Sequence, residues 1–313
     1  MNITSVATPV WITSTPERAL TPTAIALGNF DGVHLGHQNV IKPVLSHSLR
    51  STVVTFHPHP REYFSGEPCS LLTPLEEKIS HLKKLGIQQL VLLTFNRELA
   101  SLSPEAFVKE ILINQLQPRY ISVGEDFRFG YKRQGNAETL RTIGEQFGIK
   151  VNIATLETNQ QQRISSSRIR EAIVAGEIEL ANELLGRCYT LNGAIVAGEK
   201  RGRTIGFPTA NLEVPRNKLV PRYGVYVVKV TSTTVPILDP HPGVMNIGMR
   251  PTVNGKQATI EIHLLNWTGN LYQHTLNVEL KQFLRPEQKF NSLDELKNQI
   301  TRDCQQAITI HNQ

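Results

Sequence analysis

Cysteine is scarce in this chain: Cys69, Cys188 and Cys304 are the only three among 313 residues, and no two stand in CxxC spacing. That excludes a disulfide framework and a thiolate zinc site, and it is the usage expected in a reducing compartment. No apolar run approaches the roughly 20 residues needed to span a bilayer. The opening stretch MNITSVATPVWITSTPERAL has neither the basic start nor the apolar core of a signal peptide. A cytoplasmic protein without membrane attachment is therefore expected. Internal repeats and low-complexity segments are missing as well. The 33 Lys and Arg against 27 Asp and Glu leave a charge of +6, but they form no dense run. Phosphate-bearing small molecules account for that excess as well as a polyanion would, so no nucleic-acid partner is expected. Neither GxxxxGK[ST] nor HExxH occurs, which excludes a Walker-type phosphate loop and a zincin site.

What is present is globular in composition, with 40% hydrophobic and 19% charged residues. At roughly 100–200 residues per domain, the length suggests two domains. Short apolar runs at Thr23–Leu27, Thr52–Phe56, Gln89–Phe95, Tyr120–Val123 and Lys150–Ala154 alternate with helical patterns over 36–50, 74–85, 104–116 and 136–147. Such alternation predicts an α/β unit with a parallel sheet and crossover helices. Thr73-Pro74 and Ser103-Pro104 each offer an N-cap hydroxyl followed by proline at the first helical position. Pro43 falls inside the first helical pattern and implies a late start or a kink. Two short helices follow over 165–186, ending at Gly176 and Gly186.

Beyond Gly186 the character changes to successive strands: Tyr189–Val196, Gly224–Thr231, Val244–Ile247, Thr259–Leu265 and Thr275–Leu280. This pattern predicts a small antiparallel barrel, whose closure removes exposed edges. A C-terminal helix opens with the capping box Ser292-Leu-Asp-Glu295, and Leu293, Leu296, Ile300 and Ala307 mark its expected buried face. The expected domains are 1–185 and 186–313.

The stretch GNFDGVHLGH at 28–37 follows the first strand and precedes a helix, where free N–H groups meet anions beyond the carboxyl ends of a parallel sheet. Gly28, Gly32 and Gly36 permit close backbone approach, and His34 and His37 can donate to a phosphate and balance charge building on it. Two other readings of the same residues stand: a loop with incidental histidines, and a metal site shared with His57 and His59 of TFHPHP at the same sheet edge.

Taken with TFHPHP at 55–60, GEDFRFG at 124–130 and ISSSRIR at 164–170, this stretch resembles the adenylyltransferase module of the prokaryotic bifunctional riboflavin kinase/FMN adenylyltransferases, or FAD synthetases. The resemblance implies a Rossmann-like nucleotidyltransferase fold. It also implies that His34 and His37 act on ATP phosphates, with Gly28, Asn29, Phe30, Asp31 and Gly36 shaping the nucleotide site. Ser165, Ser166, Ser167 and Arg168 would hold the triphosphate, and His57, Pro58, Asp126 and Phe127 would lie by the flavin. Read without the resemblance, Ser165 only caps its helix and GEDFRFG is a strand-to-turn segment.

Residues 198–211, GEKRGRTIGFPTAN, resemble the riboflavin kinase signature of the same family. The resemblance implies a riboflavin kinase-like barrel in which Gly202, Arg203 and Gly206 approach phosphate and Thr209 and Asn211 hold Mg²⁺ as hard oxygen ligands. On pattern alone, PTAN is a turn. GVMNIGMRPT at 243–252 would bring Arg250 to the flavin, and TIEIHLLNW at 259–267 would make Glu261 the general base. A carboxylate on a half-buried strand is otherwise only solvated.

The chain departs from the family at Met249, where a small polar residue is usual, in a proline-rich segment over Thr231–Pro242, and in a C-terminus lacking an aromatic ending. The implied activity is phosphorylation of riboflavin to FMN and adenylylation of FMN to FAD, with ATP as co-substrate and Mg²⁺ as cofactor. The alternative is one active module beside a flavin- or nucleotide-binding regulatory unit. A homo-oligomer is left open.

Overall fold

Central strands buried at nearly every position require cover on both faces, and the first half of the chain supplies it with crossover helices. The computed structural model describes residues 10–197, 202, 205–232, 240–252 and 255–312, the side chains of 250–252 and 255–257 excepted. Arg203 lies outside the described residues, as do 198–201 and 233–239, and Arg250 is described as a backbone position only. Contacts divide the chain into two compact units, Met1–Ser166 and Ser167–Gln313.

In chain order the first unit contains β1 Trp11–Thr13, β2 Thr23–Leu27, α1 Leu35–Leu45, β3 Arg50–His57, α2 Pro60–Ser65, α3 Leu75–Lys84 and β4 Gln89–Thr94. There follow α4 Arg97–Ser101, α5 Pro104–Ala106 with a π-helical continuation Phe107–Leu116, β5 Pro118–Gly124, β6 Arg128–Phe129, β7 Gly135–Asn136, α6 Ala137–Gln146, β8 Lys150–Ala154, β9 Thr158–Asn159 and β10 Gln162–Arg163. Six strands pair in parallel in the order β1-β4-β3-β2-β5-β8.

Alternate residues of β2 serve opposite faces. Ile25 and Leu27 join one core with Leu112, Leu116 and Leu140, while Ala24 and Ala26 join another with Ile41, Val44 and Leu82. The chain winds outward from β2 through β3 and β4, then returns to place β5 on the other flank. The carboxyl ends of β2 and β5 therefore form the switch point where an open α/β sheet leaves a crevice.

All five expected strands of this sheet form, and β1 joins them at the edge. With three residues and Trp11 and Ile12 exposed, β1 has no burial pattern to announce it. The first helix ends at Leu45, two residues after Pro43, well short of the expected residue 50. Ser103 caps its helix as expected, accepting the Ala106 N–H at 3.1 Å. Thr73 does not cap: the N-cap position of α3 falls on Pro74 without a side-chain bond, and the Thr73 hydroxyl instead accepts the Gly32 N–H at 2.8 Å.

The second unit holds α7 Ser166–Ala175, whose first residue belongs to the unit before, then α8 Ile178–Leu185, β11 Tyr189–Val196, β12 Ala210–Glu213, β13 Gly224–Ser232, β14 His241–Thr252, β15 Gly255–Leu264, β16 Thr275–Arg285 and α9 Leu293–His311. Six strands close in the order β11-β12-β15-β14-β13-β16, every pair antiparallel. Ala210, Ile262, Met245 and Tyr226 stand opposite one another across four strands and are all buried. β12 was not expected, because its sequence reads as a turn.

Ser292 caps α9 by accepting the Glu295 N–H at 3.1 Å, and Glu295 reaches back to the Asn291 N–H at 2.9 Å. The face of α9 that packs is the expected one except at its first residue. Leu293 is 54% exposed, whereas Ala307, Cys304 and Ile310 meet Val225, Val227 and Val244 of the barrel. Asp303 lies on the same side, 2% exposed and held by Arg285 at 2.7 Å.

Candidate active sites

The loop leaving β2 is bent into backbone that side chains disfavour: Phe30 has φ +49°, Gly32 +93° and Val33 +43°. For non-glycine residues each such turn costs on the order of 1–3 kcal/mol, and it persists only where surroundings hold it. Here they do. The Asp31 carboxylate accepts the Leu72 and Thr73 N–H groups at 3.2 and 3.1 Å, and the Thr55 hydroxyl and Lys78 Nζ donate to the Asn29 carbonyl at 2.9 and 2.8 Å. The Ser166 hydroxyl donates to the Asp31 carbonyl at 2.8 Å, joining ISSSRIR to GNFDGVHLGH. Asp31 is 2% exposed, so its carboxylate shapes the loop from behind.

His34 is the N-cap of α1, its Nδ1 accepting the His37 N–H at 3.2 Å. A neutral ring in that role carries its proton on Nε2. The two imidazoles stack with centroids 3.6 Å apart and planes 17° apart, and the buried Phe30 presents its ring edge-on to His37 at 5.3 Å. Gly36 is glycine for contact: a Cβ there would stand 3.2 Å from the His34 ring. Gly28 is confined similarly, its missing Cβ 3.2 Å from the Phe30 ring. Ser165 precedes α7, and Ser167 and Arg168 occupy its first turn.

GEDFRFG leaves β5, the strand next to β2, so both motifs open from adjacent carboxyl ends. Asp126 pairs with Arg163, and the Phe127 ring stacks on the buried Phe129, which reaches Phe107. Phe127 is thus packed against the core. His57 ends β3 exposed. His59 Nδ1 accepts the Arg61 N–H and caps α2, which accounts for it without a metal. No group of three or more His, Cys, Asp or Glu suited to a metal occurs among the described residues.

Sequence reasoning missed an aromatic platform at this edge. Tyr63, Phe64 and Phe95 lie 5.2–5.7 Å apart, and Phe56 meets Phe95 at 5.6 Å. Phe64 is 72% exposed. The signal was the run EYF after HPHPR, indistinguishable in sequence from one face of a short helix.

In the barrel, register assembles the second site. Asn211 of β12 stands opposite Glu261 of β15, which stands opposite Asn246 of β14. Neighbours on both sides of this rung point inward and are buried, so the three polar side chains share the outer face. His263, two residues along the same face, holds the Pro208 carbonyl at 2.8 Å through Nδ1, and its ring meets Phe207 edge-on at 5.6 Å. PTAN is thereby fastened to β15 at its first residue. Gly202 receives the turn: the Phe207 N–H donates to its carbonyl at 2.9 Å, and a Cβ would stand 2.2 Å from the Phe207 oxygen and 3.2 Å from Thr209 Oγ1. Gly206, at φ +92°, uses glycine's freedom to make it. The Asn211 amide oxygen, the Glu261 carboxylate across from it and the Thr209 hydroxyl two residues earlier in the chain are hard oxygen donors of the kind Mg²⁺ accepts.

Comparison with known proteins gives the family. A family model described as FAD synthetase matches residues 17–168, and one described as riboflavin kinase matches 185–311. The bifunctional riboflavin kinase/FMN adenylyltransferase of Haemophilus influenzae is 40% identical over 302 residues, covering 95% of this chain and 96% of its own. That of Bacillus subtilis is 41% identical over 295 residues, 91% of each. A solved structure titled macrolide-efflux protein, from Streptococcus pneumoniae, superposes with TM-score 0.84 at 30% identity, covering 94% of this chain and 97% of that one. Among the described residues no helix is long and apolar enough to cross a membrane. Two matched modules, in the order of the two folds and with relatives matched over nearly their whole length, place this chain in the family of bifunctional riboflavin kinase/FMN adenylyltransferases.

Proposed function

We propose that the two activities of the family divide between residues 1–185, which adenylylate FMN, and 186–313, which phosphorylate riboflavin. The chain converts riboflavin and ATP to FMN, then FMN and a second ATP to FAD and pyrophosphate. The observation that carries the division is that each half contains a complete polar constellation of its own: the stacked His34–His37 pair behind a bent loop, and the Asn211–Glu261 rung.

In the first, the Nε2 proton of His34 and the ring of His37 donate to phosphate oxygens of ATP. Charge grows there as an FMN phosphate oxygen attacks the α-phosphorus and pyrophosphate leaves. Ser165–Arg168 hold the triphosphate, Arg168 by its planar fork. The exposed Phe64, backed by Tyr63 and Phe95, offers the isoalloxazine a stacking face beside His57 and Pro58, with Asp126 and Phe127 beyond the end of β5, two strands along the sheet. In the second, Glu261 accepts the proton of the ribityl hydroxyl as it attacks the γ-phosphorus. Thr209 and Asn211 would hold Mg²⁺, which supplies charge neutralisation when bound. Gly202 and Gly206 let main chain approach phosphate, and Arg203 and Arg250 complete the reading at phosphate and flavin. A cytoplasmic setting without a nucleic-acid partner belongs to the same reading.

The test is incubation with riboflavin, ATP and Mg²⁺ and chromatography of the flavins. His37→Ala is expected to make FMN and no FAD. Glu261→Gln is expected to make no FMN yet to convert supplied FMN to FAD. Loss of both activities in either folded variant would overturn the division.

A further inference from the structure

Helix α3 belongs to none of the motifs, yet it grips the nucleotide loop at two points. The main chain at its entry, the Leu72 and Thr73 N–H groups, binds the Asp31 carboxylate, and Lys78, one turn in, reaches the Asn29 carbonyl at 2.8 Å. Lys78 is 7% exposed. A lysine this deep is kept only for something it holds, since burying an ammonium is costly without partners. Burial pulls its pKa below the ordinary lysine value, and the nearby Asp31 carboxylate opposes that shift.

The two residues it addresses flank Phe30, the first residue of the loop in the left-handed region. Thr55, the other donor to Asn29, comes from β3, so the Asn29 carbonyl is fixed between a strand and a helix on either side of the loop. From there the geometry propagates in four steps along the chain: Asn29 fixed, Phe30 turned inward against His37, Gly32 held by Thr73, and His34 set at the start of α1.

We infer that Lys78 is a positioning residue of the adenylyltransferase site, holding the loop in the conformation that receives ATP. It touches no substrate and acts through Asn29 and Asp31. This rests on the assignment of that loop to ATP in FAD formation. Loss of the bond leaves the bent loop free to relax, which lowers affinity for the nucleotide that the bent form binds. A bond from a charged donor is worth about tenfold or somewhat more in an equilibrium.

The test uses the full chain and measures both half reactions under varied ATP. Lys78→Met keeps the stem and removes the donor. The expected result is a KM for ATP raised about tenfold in FMN adenylylation, with the KM for FMN and the riboflavin kinase kinetics unchanged. A purely structural loss would lower the apparent kcat by reducing active protein and leave KM for ATP alone, and that outcome overturns the inference. Should Lys78→Met fail to fold, Thr55→Val decides. It removes the partner donor from the same carbonyl, so a raised KM for ATP supports the clamp and an unchanged one refutes it. If the unsubstituted chain forms FMN but no FAD, the assignment beneath the inference fails, and that is visible before any variant is made.

Discussion

His34 Nδ1 accepts the His37 N–H at 3.2 Å, so the ring expected at a phosphate is also the cap of α1. The two tasks can be separated by substitution. Asparagine caps a helix well but has no imidazole; alanine does neither. His34→Asn is therefore expected to keep thermal stability close to the parent while losing most FAD formation. His34→Ala should lose both, with about 1 kcal/mol of stability removed. Thermal melts beside flavin chromatography check the pair, and equal melting points for the two variants would contradict the cap. Gly36 tests the same ring from the other side. Alanine there adds about 1 kcal/mol of helix preference, but its Cβ would stand 3.2 Å from the His34 ring. Gly36→Ala should therefore be as stable as the parent or more so, and slower in FAD formation, with riboflavin phosphorylation unaffected.

At the scale of elements, the strands and helices that carry the sites were largely legible, and the exceptions have physical causes. Ser103 and Ser292 announce their helices because hydroxyl, proline or glutamate spacing acts locally, and both cap as expected. Thr73 has the same local signature but is taken by Gly32, 41 residues away, a competition no local pattern reveals. PTAN reads as a turn because Pro208 starts it, yet Ala210–Glu213 pairs with both β11 and β15. What makes β12 a strand lies outside it, in His263 fastening Pro208 and in Gly193 of β11. A Cβ on Gly193 would stand 2.0 Å from the Glu213 carbonyl oxygen. Gly193→Ala is thus expected to force β12 away, costing about 1–3 kcal/mol by overpacking. Asn211 would move off the Glu261 rung with it. Kinase activity should fall further than the melting point accounts for, while FMN adenylylation stays at the parental rate. Lys78 and the Phe64 platform were illegible for a related reason: a lysine in an amphipathic helix and an aromatic beside a short helix gain meaning only from what they face.

At the scale of the whole molecule, the bonds described above that shape the bent loop and the barrel rung lie within one unit each. The loop of β2 is held by residues of β3, α3 and Ser166, and the Asn211–Glu261–Asn246 rung by strands of one closed barrel. On the proposed division, FMN made in the barrel half is a complete product there, and it is an ordinary substrate for the other half, whether it comes from the same chain or another. Two chains damaged in opposite halves should then complement each other in solution. Glu261→Gln mixed with His37→Ala, given riboflavin, ATP and Mg²⁺, is expected to yield FAD although neither variant alone does. FAD should appear after a lag in which free FMN accumulates, and the lag should shorten as the proportion of His37→Ala rises, because that variant supplies the intermediate. Failure of the mixture at every ratio, with each variant retaining its own half reaction, would mean that FMN passes only within a chain, and a link between the two sites would then have to be sought.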